Sequence, residues 1–257
     1  MDLGLSGKTA LVCASTAGLG AATARALAGE GAHVVISGRR GLQAREIAAT
    51  LPSAIGVQAD LTAPDGPDDL VAQATGAFGD IDILVLNGPG PPAARAMDVT
   101  ADDVTAAIDT LVQPQLRLVR RLVPAMRQRG WGRILAIGSS GIVEPLPSLA
   151  LSNLARAALA GYLKTLASEV AADGVTVNLL LPGRIATDRL AGIDEFVAEQ
   201  SGQSLAAVKA QSQREIPAGR YGRPDEFGQV AAFVCSEPAS YVTGTALRCD
   251  GGLIRSL

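Results

Sequence analysis

Short apolar runs alternate with amphipathic, Ala-rich stretches along almost the whole chain, and this alternation constrains the fold more than any other feature. Strands are expected at Lys8–Cys13, His33–Ser37, Ile55–Ala59, Ile81–Leu86, Ile134–Gly138, Val175–Leu181 and Thr245–Asp250. Helical patterns of roughly ten or more residues separate most of them, which points to a parallel sheet covered on both faces. The runs are near-continuously apolar, as strands buried on both faces should be. No internal repeat and no low-complexity linker divides the sequence. The expectation is α/β: a single doubly wound Rossmann domain over 1–257, with about seven parallel strands and helices on both faces. In such a sheet, ligands bind beyond the carboxyl ends of the strands. The loops that follow the strands therefore hold the candidate site.

Composition narrows the class. A chain of 257 residues can bury a sizeable core without disulfides. Its 48% hydrophobic share is spread over short segments, none approaching the ~20 apolar residues of a membrane helix. The start, Met1-Asp2-Leu3-Gly4, lacks the features of a signal peptide. Cys13, Cys235 and Cys249 have no metal-ligand spacing and are odd in number, so reduced thiols in a cytoplasm and no metal are expected. The net charge of −3 argues against a nucleic-acid partner and leaves a small molecule as the ligand. His33, the single histidine, opens the second strand, away from the carboxyl ends, so no His-dependent triad is available.

The first strand runs into Ala14-Ser15-Thr16-Ala17-Gly18-Leu19-Gly20, a small-residue loop before an Ala-rich helix. Such a loop lets backbone N–H groups approach a pyrophosphate at a helix N-terminus. The second strand ends at Gly38-Arg39-Arg40. A site that prefers NAD usually places an acidic residue there. Gly38 leaves room instead, and Arg39 offers a fork of donors to a 2′-phosphate. Two readings of Arg39 stand side by side, a phosphate ligand and a solvated residue at a strand end. Asp60 after the third strand is either an acceptor for the adenine amino group or a turn residue.

These motifs, with three others, carry a resemblance along essentially the whole chain. Asn87-Gly88-Pro89-Gly90 stands for an Asn-Asn-Ala-Gly motif. Asn178 through Pro182-Gly183-Arg184-Ile185-Ala186-Thr187 matches Asn-x-x-x-Pro-Gly-x-x-x-Thr. Tyr241-Val242-Thr243-Gly244 and Asp250-Gly251-Gly252 match the C-terminal pattern. The chain resembles the short-chain dehydrogenase/reductases, close to the 3-oxoacyl-carrier-protein reductase type. The resemblance implies a nicotinamide cofactor, with NADP(H) favoured over NAD(H) by the Gly38-Arg39 ending. It places the cofactor on Ser15, Thr16, Gly18, Leu19 and Gly20, on Arg39, Asp60 and Leu61, on Asn87 and Gly88, on Arg156, and on Pro182, Gly183, Ile185 and Thr187. Cys13 and Ala14 take the positions of the family's Thr and first Gly. Alanine resists φ > 0, so a loop of altered shape is expected there.

The same resemblance exposes a departure. The family uses a Tyr as proton donor or acceptor, a Lys four residues later, a Ser thirteen residues before the Tyr, and an Asn on the preceding long helix. Counting through this sequence, Ser139 keeps the Ser, but Ser152 stands at the Tyr position, Arg156 at the Lys position and Leu111 at the Asn position. The tyrosines are Tyr162, Tyr221 and Tyr241, and none has Lys four residues on. Ser152 and Arg156 still share a helix face. Arg156 can hold ribose hydroxyls, but with a pKa above ~12 it does not shuttle protons. A Ser hydroxyl is a far poorer acid than a phenol of pKa ~10. Glu144, in the loop before this helix, is either a base for another reaction or an exposed loop carboxylate. Arg184 is either a ligand for a substrate carboxylate or cofactor phosphate, or a solvated loop residue.

Three functions are compatible with these residues. The first is an NADP(H)-dependent oxidoreductase for a carbonyl or alcohol, with a non-standard proton-transfer group. The second is a non-redox isomerase, dehydratase or lyase using Glu144. The third is a non-catalytic dinucleotide-binding protein. Segment 187–215 resembles the family's substrate lid and is expected to be polar and irregular, with helical patches. The pattern over Asp102–Arg129 is expected to form one long helix. That helix and Leu151–Ala172 form the family's subunit interface, which implies a homodimer or homotetramer.

Overall fold

A computed structural model describes residues 1–256. Its strands are β1 (Thr9–Val12), β2 (His33–Gly38), β3 (Ala54–Gln58), β4 (Ile83–Leu86), β5 (Gly132–Ile137), β6 (Val175–Pro182) and β7 (Ala246–Cys249). The helices are α1 (Gly18–Gly29), α2 (Gly41–Ala49), α3 (Gly66–Phe78), α4 (Ala101–Leu111), α5 (Gln113–Arg129), α6 (Ala150–Val170), α7 (Asp188–Ser201), α8 (Leu205–Arg214) and α9 (Pro224–Val234). The seven strands form one sheet in the order β3-β2-β1-β4-β5-β6-β7. Every pairing is parallel.

Why these residues make this sheet follows from their two-residue period. Leu11, Val35, Leu84, Ile134 and Val177 point to one face, where Leu70, Leu118, Met126 and Leu163 from α3, α5 and α6 cover them. Val12, Ile36, Ile83, Leu135 and Leu180 point to the other, against Leu27, Ala44 and Phe227 from α1, α2 and α9. With both faces filled, successive side chains along a strand are all apolar. Each buried Leu or Ile contributes about 1.5–3 kcal/mol relative to exposure. The strand order reverses direction between β1 and β4, and the loops that follow these two strands diverge there to leave a crevice.

Two expectations are corrected. The stretch expected as one helix over Asp102–Arg129 is two, α4 and α5, which meet at Val112 with φ −107° and ψ −57°. Pro114 lies in the first turn of α5, where its missing N–H breaks the hydrogen-bond ladder of a continuous helix. Segment 187–215 is not irregular. It is largely two regular helices, α7 and α8, each capped by the hydroxyl before it: Thr187 accepts from the Leu190 amide and Ser204 from the Ala207 amide. In α7 the apolar Ile193, Phe196 and Val197 are exposed and Asp194 is buried, and this inversion, with the glycines at 192 and 202, obscures the helical period in sequence.

Candidate functional site

The loop after β1 is pinned by hydrogen bonds to the neighbouring strands and loops. Ala14 adopts φ +44°, in the left-handed region that favours glycine, and Gly18 opens α1 at φ +55°. The loop therefore keeps a glycine-like backbone at Ala14, at a cost of roughly 1–2 kcal/mol. Asn87, just past β4, donates from Nδ2 to the Ala14 carbonyl at 3.1 Å and holds that conformation. At Gly20 a Cβ would fall 2.7 Å from the Ala14 oxygen and 2.9 Å from Asn87 Nδ2, so only glycine permits the approach. Ser15 is buried. Its Oγ donates to the Val12 carbonyl at 2.7 Å and accepts from the Ser37 amide at 2.9 Å, tying the loop to β2.

At the end of β2, a Cβ on Gly38 would fall 3.0 Å from Thr16 Cγ2. The glycine lets Thr16 sit against the strand end. Arg40 donates to Thr16 Oγ1 at 3.0 Å, while Arg39, the other exposed arginine, is free to turn outward into the crevice. The Asp60 carboxyl is held below the usual carboxylate range, first because Thr62 donates to it from both hydroxyl (2.7 Å) and amide (3.0 Å), with a smaller contribution from the charge of Arg39. One Asp60 oxygen thus closes a turn, as the turn reading expects.

The β5–α6 side carries the altered residues. Ser139 caps a short 3₁₀ turn, its Oγ accepting from the Gly141 amide at 3.1 Å. Ser152 lies in the first turn of α6 and is 6% exposed. Arg156, one turn on, donates from Nη1 to the carbonyls of Ile137 (3.1 Å) and Gly138 (3.3 Å) at the end of β5. Burial, and secondarily the charge of Arg189, push its guanidinium down to about 10, below the value above 12 expected from sequence. It remains a cation at neutral pH. Glu144 is exposed on the loop between β5 and α6. Asn153 braces that loop, donating to the Leu146 carbonyl at 3.0 Å and accepting from its amide at 3.3 Å. Leu111 is buried at the end of α4. Near it Gln115, 2% exposed, donates to the Asn87 carbonyl at 3.2 Å, and its Oε1 has no partner among the described residues.

The far rim is α7 and α8. Arg184 pairs with Glu215 at 2.8 Å and with the Ser212 hydroxyl, so it is engaged inside the protein. Buried Asp194 accepts from the Tyr221 hydroxyl at 3.0 Å. Thr187 lies opposite the loop between β1 and α1: a Cβ on Gly18 would be 3.7 Å from its Cγ2. Arg189, two residues later, crosses to the loop after β4 and packs on Gly90.

These elements enclose one cavity of about 1340 Å³. Thr16, Gly18, Leu19, Arg39, Asp60, Leu61, Asn87 and Gly88 line one part. Ser139, Glu144, Ser152, Arg156, Pro182, Gly183, Ile185 and Thr187 line the rest. Of the residues expected in the site, Ser15 and Gly20 do not line it; they shape the loop behind it. Sequence reasoning missed Arg40, Gln115, Arg189 and Asp194, which do. The Arg39-Arg40 doublet could have flagged Arg40; the other three are brought in by packing alone.

Residues 13–254 match the family model described as Enoyl-(Acyl carrier protein) reductase. The chain is 36% identical to bovine (Bos taurus) dehydrogenase/reductase SDR family member 4, over 98% of this chain and 89% of that protein. It is 33% identical to the 3-oxoacyl-[acyl-carrier-protein] reductase FabG of Haemophilus influenzae, over 98% and 100%. It superposes on the crystal structure of L-sorbose reductase from Gluconobacter frateurii, complexed with NADPH and L-sorbose, with TM-score 0.94, 33% identity and full coverage of both chains.

Proposed function

The chain belongs to the short-chain dehydrogenase/reductase superfamily, and from that premise we propose that it is an NADP(H)-dependent oxidoreductase for a carbonyl or alcohol substrate. The observation that carries this reading is the continuity of the cavity, which joins the phosphate loop and the arginines after β2 to Ser139, Ser152 and Arg156. The residues fit a dinucleotide. Thr16, Gly18 and Leu19 at the start of α1 would hold its diphosphate, and Arg39 the 2′-phosphate. Asp60 and Leu61 would border the adenine. Asn87, Gly88, Pro182, Gly183, Ile185 and Thr187 would border the nicotinamide half, with Arg156 on its ribose. The NADPH in the sorbose reductase crystal supports the cofactor class.

When bound, the dinucleotide supplies a hydride to the carbonyl carbon. The protein's own part is to orient the carbonyl and to manage charge and a proton at its oxygen. The hydroxyls of Ser139 and Ser152 are the donors for that oxygen, and Arg156 stabilises negative charge as it develops. Arg156 stays protonated, so the proton comes from a serine hydroxyl or from solvent through it. A well-placed acid contributes roughly 10²–10⁴-fold, and turnover should be slower by a factor in that range than with a phenol donor. Glu144 is the acceptor for the reverse, alcohol-oxidising direction. Helices α7 and α8 act as the lid over this chamber. Self-association through α5 and α6 belongs to the same reading.

The test is calorimetric titration of NADPH and NADH into wild type and Arg39→Ala, followed by a nicotinamide-absorbance screen of ketones and alcohols. Arg39→Ala should weaken NADPH by about 1.5–3 kcal/mol, as loss of a charge-assisted hydrogen bond does, and leave NADH unchanged. If neither dinucleotide binds wild type, the redox reading fails. Product formed with no net change in absorbance would replace it by a non-redox reaction at Glu144.

A further inference from the structure

Arg189 and Arg156 form a pair of cations without anions. Arg156 spends its Nη1 on two backbone carbonyls and meets no carboxylate among the described residues. Arg189 likewise has no ion-pair partner among the described residues, whereas neighbouring Arg184 is paired with Glu215. The Arg189 guanidinium lies against the loop after β4: a Cβ on Gly90 would fall 2.7 Å from its Nη1 and 2.9 Å from Cζ. Both arginines line the cavity, at the ends of paired strands: Arg156 binds the Ile137 and Gly138 carbonyls at the end of β5, and Arg189 lies against Gly90 in the loop after the adjoining β4. Burial first, and the charge of Arg189 second, make the protonated form of Arg156 harder to keep. Two guanidinium groups held in one chamber repel each other, and an anion between them removes that cost by accepting from both.

We propose that Arg189 and Arg156 together bind a carboxylate on the substrate, so that the protein acts on oxo acids and hydroxy acids in preference to neutral carbonyls and alcohols. The proposal rests on the oxidoreductase reading and names its substrate class. A cofactor diphosphate has the same chemistry, but the position speaks for the substrate. Thr187 is the residue opposite the phosphate loop at Gly18, while Arg189 has crossed to Gly90 and the neighbourhood of Arg156, beside Ser139 and Ser152. Leu190, Ile193 and Val197 of α7 and Leu146 and Leu149 of the β5–α6 loop line the same chamber, together with the carboxylates Glu144, Asp188 and Asp194. An oxo acid with an aliphatic body matches both halves.

The experiment is calorimetry of 2-oxohexanoate and 4-oxopentanoate, each against its methyl ester, on wild type, Arg189→Met and Arg189→Lys. It is run on nucleotide-free protein and on protein saturated with NADP⁺, and the NADPH affinity of each variant is measured in parallel. The expected result is that at least one acid binds wild type ten-fold or more tightly than its ester. Arg189→Met should abolish that preference, Arg189→Lys should regain part of it, and NADPH affinity should change less than three-fold. Equal binding of acids and esters to wild type overturns the proposal. So does a ten-fold loss of NADPH affinity in Arg189→Met with the acid preference intact, which assigns the arginine to the cofactor diphosphate. If wild type binds no dinucleotide, the oxidoreductase reading falls, while the acid–ester comparison on nucleotide-free protein still decides the carboxylate site.

Discussion

At the scale of single residues, the most informative position is Ala14. Its φ of +44° places an ordinary L-residue where glycine is usual, and the Asn87 amide holds it there through the Ala14 carbonyl. Ala14→Gly removes roughly 1–2 kcal/mol of strain but adds about 0.4–1 kcal/mol of unfolded-state entropy. The variant should therefore be more stable by up to about 1.6 kcal/mol, as read by denaturant midpoint. A loss of stability would mean that the methyl group packs better than the backbone conformation suggests. Arg156 has the opposite character. Burial holds its folded pKa down to about 10, below that of an exposed arginine, so above pH 10 the unfolded chain binds more protons and stability rises with pH from this group until both states are deprotonated. At neutral pH the buried charge is a standing cost to stability.

At the scale of elements, the chemistry depends on how a loop is braced. The segment between β5 and α6 carries Ser139 and Glu144 and has little regular structure beyond one 3₁₀ turn. Asn153, in the first turn of α6, closes it with two hydrogen bonds to Leu146. The loop after β4 adds two more: the Ala94 amide donates to the Ser148 carbonyl at 2.9 Å, and the Ala150 amide to the Ala94 carbonyl at 3.1 Å. Asn153→Ala should cost about 1–2 kcal/mol of stability, at roughly 1 kcal/mol per lost bond. It should also raise amide exchange over residues 143–149 while leaving the phosphate loop protected. Uniform exchange across both loops would show that they open together. The break between α4 and α5 acts at the same scale, because it lets Gln115 turn its amide to the Asn87 carbonyl.

For the whole molecule, the strand order decides where everything else is used. Because β2 and β4 flank β1, the loops after β1 and β4 part and leave the crevice between them, and one side chain, Asn87, bridges the two. A ligand that fills such a crevice stabilises the entire domain. At one hundred times its dissociation constant NADPH should add about 2.7 kcal/mol, which for a domain of this size raises the melting temperature by roughly 5–10 °C. NADH at the same concentration should give a smaller rise. Equal shifts for the two cofactors in a thermal melt would remove the role assigned to Arg39.

The sequence by itself determined the sheet and the order of its elements, and it marked the small-residue loop after β1 and the Gly38-Arg39 ending of β2. Each of these follows from local signals: short, near-continuous apolar runs between helical stretches, and glycines at the strand ends. It also pointed to Ser139, Ser152, Arg156 and Glu144, and the fold brings all four to one cavity. It missed the break at Val112, since a proline in the first turn of a helix looks the same as one tolerated inside a longer pattern. It likewise concealed the regularity of α7 and α8, since α7 exposes Ile193, Phe196 and Val197 and buries Asp194, against the usual pattern. Only the tertiary structure decided that Arg184 is engaged with Glu215 while Arg189 crosses to Gly90. Those partners are far apart in the chain, and an arginine's charge is fixed by its type, whereas what neutralises that charge depends on which loops the sheet brings together.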